Sequence, residues 1–534
     1  MQRNLEQIKA EILNGETKIG IEFGSTRIKI VLIGKDYSPI CDGSHSWENE
    51  FDNGFWTYSL DKIWGGLQDS YMNMIDNVKE KYGVVINKVK AIGISAMMHG
   101  YMVFDKDDKQ LTPFRTWRNS TTLQASKELT TLFNFNIPQR WSIAHLYQAV
   151  LNGEKHVEKI DYLTTLAGYI HWRLTGSKVV GVGEASGIIP LENGQNKYNK
   201  KMMSIFNSIV DIKNMPWTLN DILPKILAAG ENAGQLTVEG ARLLDISGNL
   251  QSGIPFCPPE GDAETGMVAT NSVVPKTGNV SAGTSIFAMI VLDKPLKGVH
   301  SEIDVVTTPS GKPVAMVHAN NCSSDINSWV SIFEEFSNLL KLDNKKTDIY
   351  NLLFTLALNG DDDCGNMMAY NFYSGEHILG ISEGRPLFVR KADSKFNLSN
   401  FMRMNFYSAF CVLKTGLNIL LKEENVNIDR ITAHGGLFKV KGVAQNFLAD
   451  AINAPIAVLD TAGEGGAWGM ALLAAYMFEK GTMSFEEFLE NKVFTGKEYS
   501  LINPTEVGVN SFEKYYKSFY ECLPIETQAI RSMK

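Results

Sequence analysis

One carboxylate stands out by its setting. Asp262 lies in Pro258-Pro259-Glu260-Gly261-Asp262-Ala263-Glu264-Thr265-Gly266, where prolines and glycines fix a tight turn that opens a helix or loop. A carboxylate held beside a phosphate site is what phosphoryl transfer to an alcohol needs, since it accepts the hydroxyl proton and aims the oxygen at the γ-phosphorus. By itself the segment also reads as an Asx-turn or a helix N-cap. Two glycine-hydroxyl turns flank it in sequence, one in each half of the chain. The first is Gly24-Ser25-Thr26, between the apolar stretches 18–23 and 27–33. The second is Gly283-Thr284-Ser285, between 277–282 and 286–291. Each reads as strand, turn and strand in hairpin register. Glycine lets backbone N–H groups crowd an anion, and the adjacent hydroxyl adds a donor. Singly, either turn is an ordinary hairpin with a polar tip. The pair points to a nucleotide's phosphates held between two related domains.

Further candidates follow predicted strands. Ser95-Ala96-Met97-Met98-His99-Gly100 comes after the apolar run 89–94, and in open α/β sheets ligands sit beyond the carboxyl ends of strands. There His99 can donate hydrogen bonds to sugar hydroxyls while Met98 packs on carbon; the alternative is a histidine tied into the fold by a backbone carbonyl. His434-Gly435-Gly436 follows the run 430–433, and its glycines allow a flat ring or a phosphate to lie against backbone. In Thr461-Ala462-Gly463-Glu464-Gly465-Gly466-Ala467-Trp468-Gly469, Gly465 and Gly469 are one helical turn apart, a spacing that suits a base or simply a neighbouring helix. No P-loop signature occurs, no strand leads into Gly-x-Gly-x-x-Gly, and no His-Glu-x-x-His or Gly-x-Ser-x-Gly is present. The six cysteines form no Cys-x-x-Cys and lack His at ligand spacing. Zinc, a disulfide framework and a catalytic thiol at Cys257 or Cys322 are therefore not expected.

Positioning these groups takes more than one core, because 534 residues exceed what a single core sustains. Net charge is −8, against a nucleic-acid binder with its basic face. No run of the sequence reads as a signal core or a membrane span, so a cytoplasmic location is expected. Strands and helices alternate, which implies an α/β fold. The pattern predicts a helix over 59–82, a strand over 89–95, a strand pair 101–104 and 112–117, and mainly helices and loops over 122–250. Late helices follow over 401–425, 442–453 and 464–480, with a surface helix and tail from 511.

In this order the segments resemble the FGGY family of carbohydrate kinases, from about residue 18 to 477. The resemblance implies two actin-like (ribonuclease H-like) ATPase domains with a central cleft: an N-terminal domain over 1–268 that binds sugar and carries the base, and a nucleotide-binding domain over 269–534. It assigns Gly24, Ser25, Thr26, Gly283, Thr284, Ser285, Gly435 and Gly436 to ATP. Met98, His99 and Trp117 go to the sugar, and Asp262 is the catalytic base that also touches substrate. Glu22 and Asp262 become candidates near Mg²⁺. Gln445, Ala449 and Asp450 follow the adenosine segment. Within the family the chain looks most like xylulokinases, with L-ribulokinases next. The implied reaction moves phosphate from ATP to the terminal primary hydroxyl of a ketopentose, most simply D-xylulose, or of another ketose or polyol. Rival readings are an actin-like filament or chaperone-like ATPase and a sugar sensor without catalysis. The chain departs from the family at Glu22, where Asp is usual, at Met97, where Gln is usual, and at Ala263, where Asn or Gln is usual. No nucleic acid or membrane partner is implied, and a homodimer is the default for such an enzyme.

Overall fold

Alternating isoleucines open the first sheet. In β1 (Lys18–Phe23) and β2 (Arg27–Ile33), Ile19, Ile21, Phe23, Ile28, Ile30 and Leu32 are all buried. The two strands pair antiparallel from Lys18↔Ile33 to Phe23↔Ile28, and β3 (Pro39–Ser46) extends the ladder on β2. On the other side of β1, β4 (Ala91–Ala96) and then the two-residue β5 (Glu260–Gly261) run parallel. The order is thus β5-β4-β1-β2-β3. Helix α1 (Leu60–Tyr82) covers the sheet with Ile63, Leu67, Tyr71, Met74 and Val78 at helical spacing, capped by Ser59 and stopped by Gly83 in the left-handed region. It approaches β3 so closely that a Cβ on Gly43 would lie 2.3 Å from the Met74 nitrogen.

A computed structural model describes residues 4–342, 345–459 and 465–533, and the chain divides into two compact units. Unit 1 takes Met1–Val274, Val305–Val314 and Glu464–Gly496; unit 2 takes Pro275–Asp304, Ala315–Gly463 and Lys497–Lys534. The second sheet repeats the plan of the first. Strand β6 (Thr277–Ala282) pairs antiparallel with β7 (Ile286–Val291) and parallel with β10 (Arg430–His434). β10 is followed by parallel β11 (Ile456–Leu459). With β8 (Ile303–Thr307), β9 (Pro313–Ala319) and β12 (Tyr499–Ile502), the order is β8-β9-β7-β6-β10-β11-β12. Each sheet therefore has a hairpin whose first strand is flanked by parallel strands.

Three expectations are corrected. Residues 112–117 form no strand: only Tyr101↔Arg115 and Phe104↔Gln110 bridge, because Pro113 has no N–H to donate, and 102–104 pairs instead with 162–164. The last helix, Glu506–Ser532, is no mere surface tail, since Phe512, Tyr515 and Phe519 on one face are buried. One helix, Leu398–Asn418 with its continuation to Glu423, is long and apolar enough to cross a membrane. Nearly all of it from Asn400 to Leu417 is buried in unit 2, as an all-round apolar helix must be.

Candidate active site

Register builds the site. Phe23 pairs with Ala96 and Ala96 with Gly261. The next residues on the three parallel strands, Gly24, Met97 and Asp262, thus leave the sheet together at one end, beyond the carboxyl termini where α/β sheets bind ligands. Asp262 begins helix α3 (Asp262–Ala269), and its Oδ1 accepts the Met98 backbone N–H at 3.3 Å. Thr265, one turn on, bonds Ser95 Oγ at 3.0 Å and ties α3 to β4.

The carboxylates here are crowded. Asp262 is pushed up to about 7, first by desolvation and then by the charge of Glu22. Behind it Glu260 and Glu264 are fully sequestered. Burial carries Glu260 to about 8 and Glu264 well above its ordinary range. Glu260 accepts the backbone N–H of Glu184 at 2.8 Å. Glu22 is also raised by burial. Its Oε2 accepts the N–H of Ala467 at 3.2 Å, in the first turn of α7 (Gly465–Tyr476). No group of three or more metal-ligating side chains is poised for an ion among the described residues. With Glu22 Oε2 held by the Ala467 amide and no third metal-ligating side chain beside Glu22 and Asp262 among the described residues, this donor set does not fit a resident metal.

The Gly24-Ser25-Thr26 turn is closed by Gly24 N–H to the Arg27 carbonyl at 3.0 Å and braced by aromatics. Trp47 Nε1 donates to the Gly24 carbonyl at 2.8 Å, Tyr58 OH to the Ser25 carbonyl at 2.6 Å, and Trp117 Nε1 to Ser25 Oγ at 3.1 Å. Trp117 therefore touches the Gly24-Ser25-Thr26 turn rather than standing apart from it. Its neighbour Asn119 is buried and bonds both the N–H and the carbonyl of Trp56. His99 has φ +66 and is buried. Its Nδ1 meets the Gly187 carbonyl at 3.3 Å, its ring stacks on Trp141, and desolvation lowers it to about 3. The neutral ring with its proton on Nδ1 leaves Nε2 as an acceptor, whereas the sequence suggested a donor.

In unit 2 the same register logic aligns the other two turns. Ser281 pairs with His434, so Gly283 and Gly435 leave β6 and β10 side by side. Gly435 has φ +108, and a Cβ there would lie 2.2 Å from the Ala282 carbonyl. Only glycine fits. The Gly283 carbonyl accepts Ser323 Oγ at 2.6 Å, and the Thr284 carbonyl accepts the Cys322 N–H at 2.8 Å. A Cβ on Gly283 or Gly436 would meet open space.

Other candidates turn out to serve the scaffold. Gln445 is buried, donating to the carbonyls of Ile456 and Ser500. Asp450 accepts the Thr505 N–H at 2.8 Å, at the cap of the last helix. A Cβ on Gly469 would lie 2.0 Å from the Thr265 carbonyl, so helix packing explains it. Cys257 and Cys322 are buried, and burial holds both thiols up, Cys322 at about 12. Residues 461–464 of the late glycine segment lie outside the described residues.

The N-terminal domain of the FGGY family of carbohydrate kinases matches residues 17–269, and its C-terminal domain matches residues 278–478. The chain belongs to the FGGY family of carbohydrate kinases. It is 23% identical over 473 residues to the xylulose kinase of Haemophilus influenzae, covering 84% of this chain and 88% of that one. A Streptomyces coelicolor glycerol kinase is 21% identical, with 85% and 88% covered. Among solved structures, the xylulose kinase and the gluconate kinase of Lactobacillus acidophilus each superpose with TM-score 0.76 at 16% identity, over 95% of this chain and 97% of theirs. The fold is therefore that of this FGGY family, two actin-like (ribonuclease H-like) domains, and the protein is a carbohydrate kinase. FGGY kinases draw the phosphoryl group from ATP.

Proposed function

We propose that this FGGY kinase phosphorylates the terminal primary hydroxyl of a ketopentose, with D-xylulose as the preferred acceptor and D-xylulose 5-phosphate as the product. The observation that carries the reading is Asp262, at the shared end of three parallel strands with its carboxyl pushed to about 7. A base is most useful when its pKa lies near the working pH. The kinship with xylulose kinases supplies the substrate class.

In this reading Asp262 takes the proton from the attacking hydroxyl as its oxygen nears the γ-phosphorus. Met98 and the Nε2 of His99 contact the sugar. Ser25 and Thr26 cover the transferring group, and Trp117 acts through Ser25. ATP is gripped by Gly283, Thr284, Ser285, Gly435 and Gly436. Packing does not demand the glycines at 283 and 436, which suits backbone lying open to a ligand. Mg²⁺ arrives with the nucleotide as part of the substrate and offsets phosphate charge. The sugar and base thus belong to the N-terminal half and the nucleotide to the C-terminal half, in a cytoplasmic enzyme for which a homodimer is the default.

A second reading, another acceptor such as L-ribulose, gluconate or glycerol, is favoured by the gluconate and glycerol kinase relatives and by Met97, where an amide is missing from the sugar turn. A panel of D-xylulose, L-ribulose, D-gluconate and glycerol with Mg·ATP, followed by ADP release, separates them. D-xylulose should give the highest kcat/KM. A higher value for another acceptor replaces the assignment, and no sugar-dependent ADP release rejects both readings.

A further inference from the structure

The N-terminus of α7 is already occupied by a side chain of this protein. The first amides of a helix have no partner within it and carry partial positive charge. Here Glu22, the penultimate residue of β1, reaches across and accepts the Ala467 N–H at 3.2 Å. The fit is close on all sides. A Cβ on Gly466 would lie 2.4 Å from Glu22 Oε1 and 2.6 Å from Thr265 Oγ1, and Gly465 has φ +69. The end of β1 and the first turns of α3 and α7 thus meet at this carboxylate.

We propose that Glu22 is a positioning residue that fastens the first turn of α7 to the end of β1, next to Asp262 and the Gly24-Ser25-Thr26 turn, and that it does not ligate the Mg²⁺ of the nucleotide. The extra methylene relative to aspartate gives the reach to Ala467. The Ala467 amide on Oε2 and the packing of Oε1 against Gly466 hold the carboxyl group in the first turn of α7. The functional part of this inference rests on the kinase reading of the site.

Two substitutions give opposite orders under the two roles. Glu22→Gln keeps the length and one acceptor oxygen; Glu22→Asp keeps the charge but draws it back. If Glu22 positions the turn, Glu22→Asp should lower kcat about tenfold or more, in line with the loss of a cap. KM for sugar and for ATP should stay within about twofold, and Glu22→Gln should lower kcat several-fold less than Glu22→Asp does. The Mg²⁺ concentration for half-maximal rate should be unchanged in both. An active Glu22→Asp, with a Glu22→Gln that needs about tenfold more Mg²⁺, would overturn the proposal, since loss of one ligand charge weakens a Mg²⁺ site. Amide exchange on the unsubstituted protein, without nucleotide, gives a readout independent of turnover and of variant folding. The amide of Ala467 should be protected, and exchange at the rate of an open chain would equally overturn the role. If no sugar-dependent ADP release is found at all, the kinase reading fails while the exchange result still decides the anchoring.

Discussion

In the proposed reaction the chemistry at Asp262 depends on one proton. Asp262→Asn removes the acceptor while keeping shape and the bond from Met98, so kcat should fall by about 10²–10⁴ with KM for ATP nearly unchanged. Steady-state kinetics with the preferred sugar checks this, and a variant with near-normal turnover would show that the base lies elsewhere. The pH dependence has a definite sign. The base must be ionised, and burial with the neighbouring Glu22 holds it at about 7. The plot of kcat/KM against pH should therefore drop on the acid side of about 7, tenfold per pH unit, and should not follow an ordinary aspartate titrating near about 3.9. His99 adds nothing to that limb, because desolvation keeps it neutral down to about 3. Its Nε2 can be probed separately. His99→Phe keeps the stack on Trp141 but removes the acceptor, and should raise KM for the sugar more than it lowers kcat.

The elements deliver these residues by register, and close approach enforces it. Gly20 faces α7 with its would-be Cβ 2.0 Å from the Ala467 carbonyl, and Gly469 faces α3 at 2.0 Å from the Thr265 carbonyl. Gly469→Ala must push α7 off α3 and should destabilise the protein by about 1–3 kcal/mol, read from chemical denaturation. Much of this layer was legible in the sequence. Alternating apolar residues announced both hairpins, and the 59–82 helix stood out by its 3.6-residue spacing. The Pro-Pro-Glu-Gly-Asp segment announced a turn into a helix. What chain order hides is pairing at long range. Nothing local shows that 102–104 pairs with 162–164, or that Glu22 bonds a backbone amide 445 residues away. The same limit explains Gln445 and Asp450, which resemble ligand-side residues in sequence and hold strands and helix caps in space.

Across the whole chain, buried acids set how stability responds to pH. Asp262, Glu260 and Glu376 are raised to about 7, 8 and 7, each chiefly by burial. The folded state therefore binds more protons than the unfolded one between their ordinary range and these values, so stability falls as pH rises there. Below about 6.5 the buried His145, His171 and His434, lowered to about 3, 4 and 4, oppose the trend, because they charge only on unfolding. The clear window is then about 6.5 to 8, over which Tm should decline as pH is raised. Glu260→Gln should flatten the decline, and a Tm that climbs through this window would contradict the assignment of the acids.

The aromatic bracing of the Gly24-Ser25-Thr26 turn gives the protein a built-in optical reporter. Two of its nine tryptophans, Trp47 and Trp117, hold this turn by their indole N–H groups, so a phosphate that draws Ser25 away from Trp117 alters the polarity around that ring. Titration with an unreactive ATP analogue and sugar should change the intrinsic fluorescence. Trp117→Phe should erase much of that signal, so that ligand arrival can be timed by stopped flow without any attached dye.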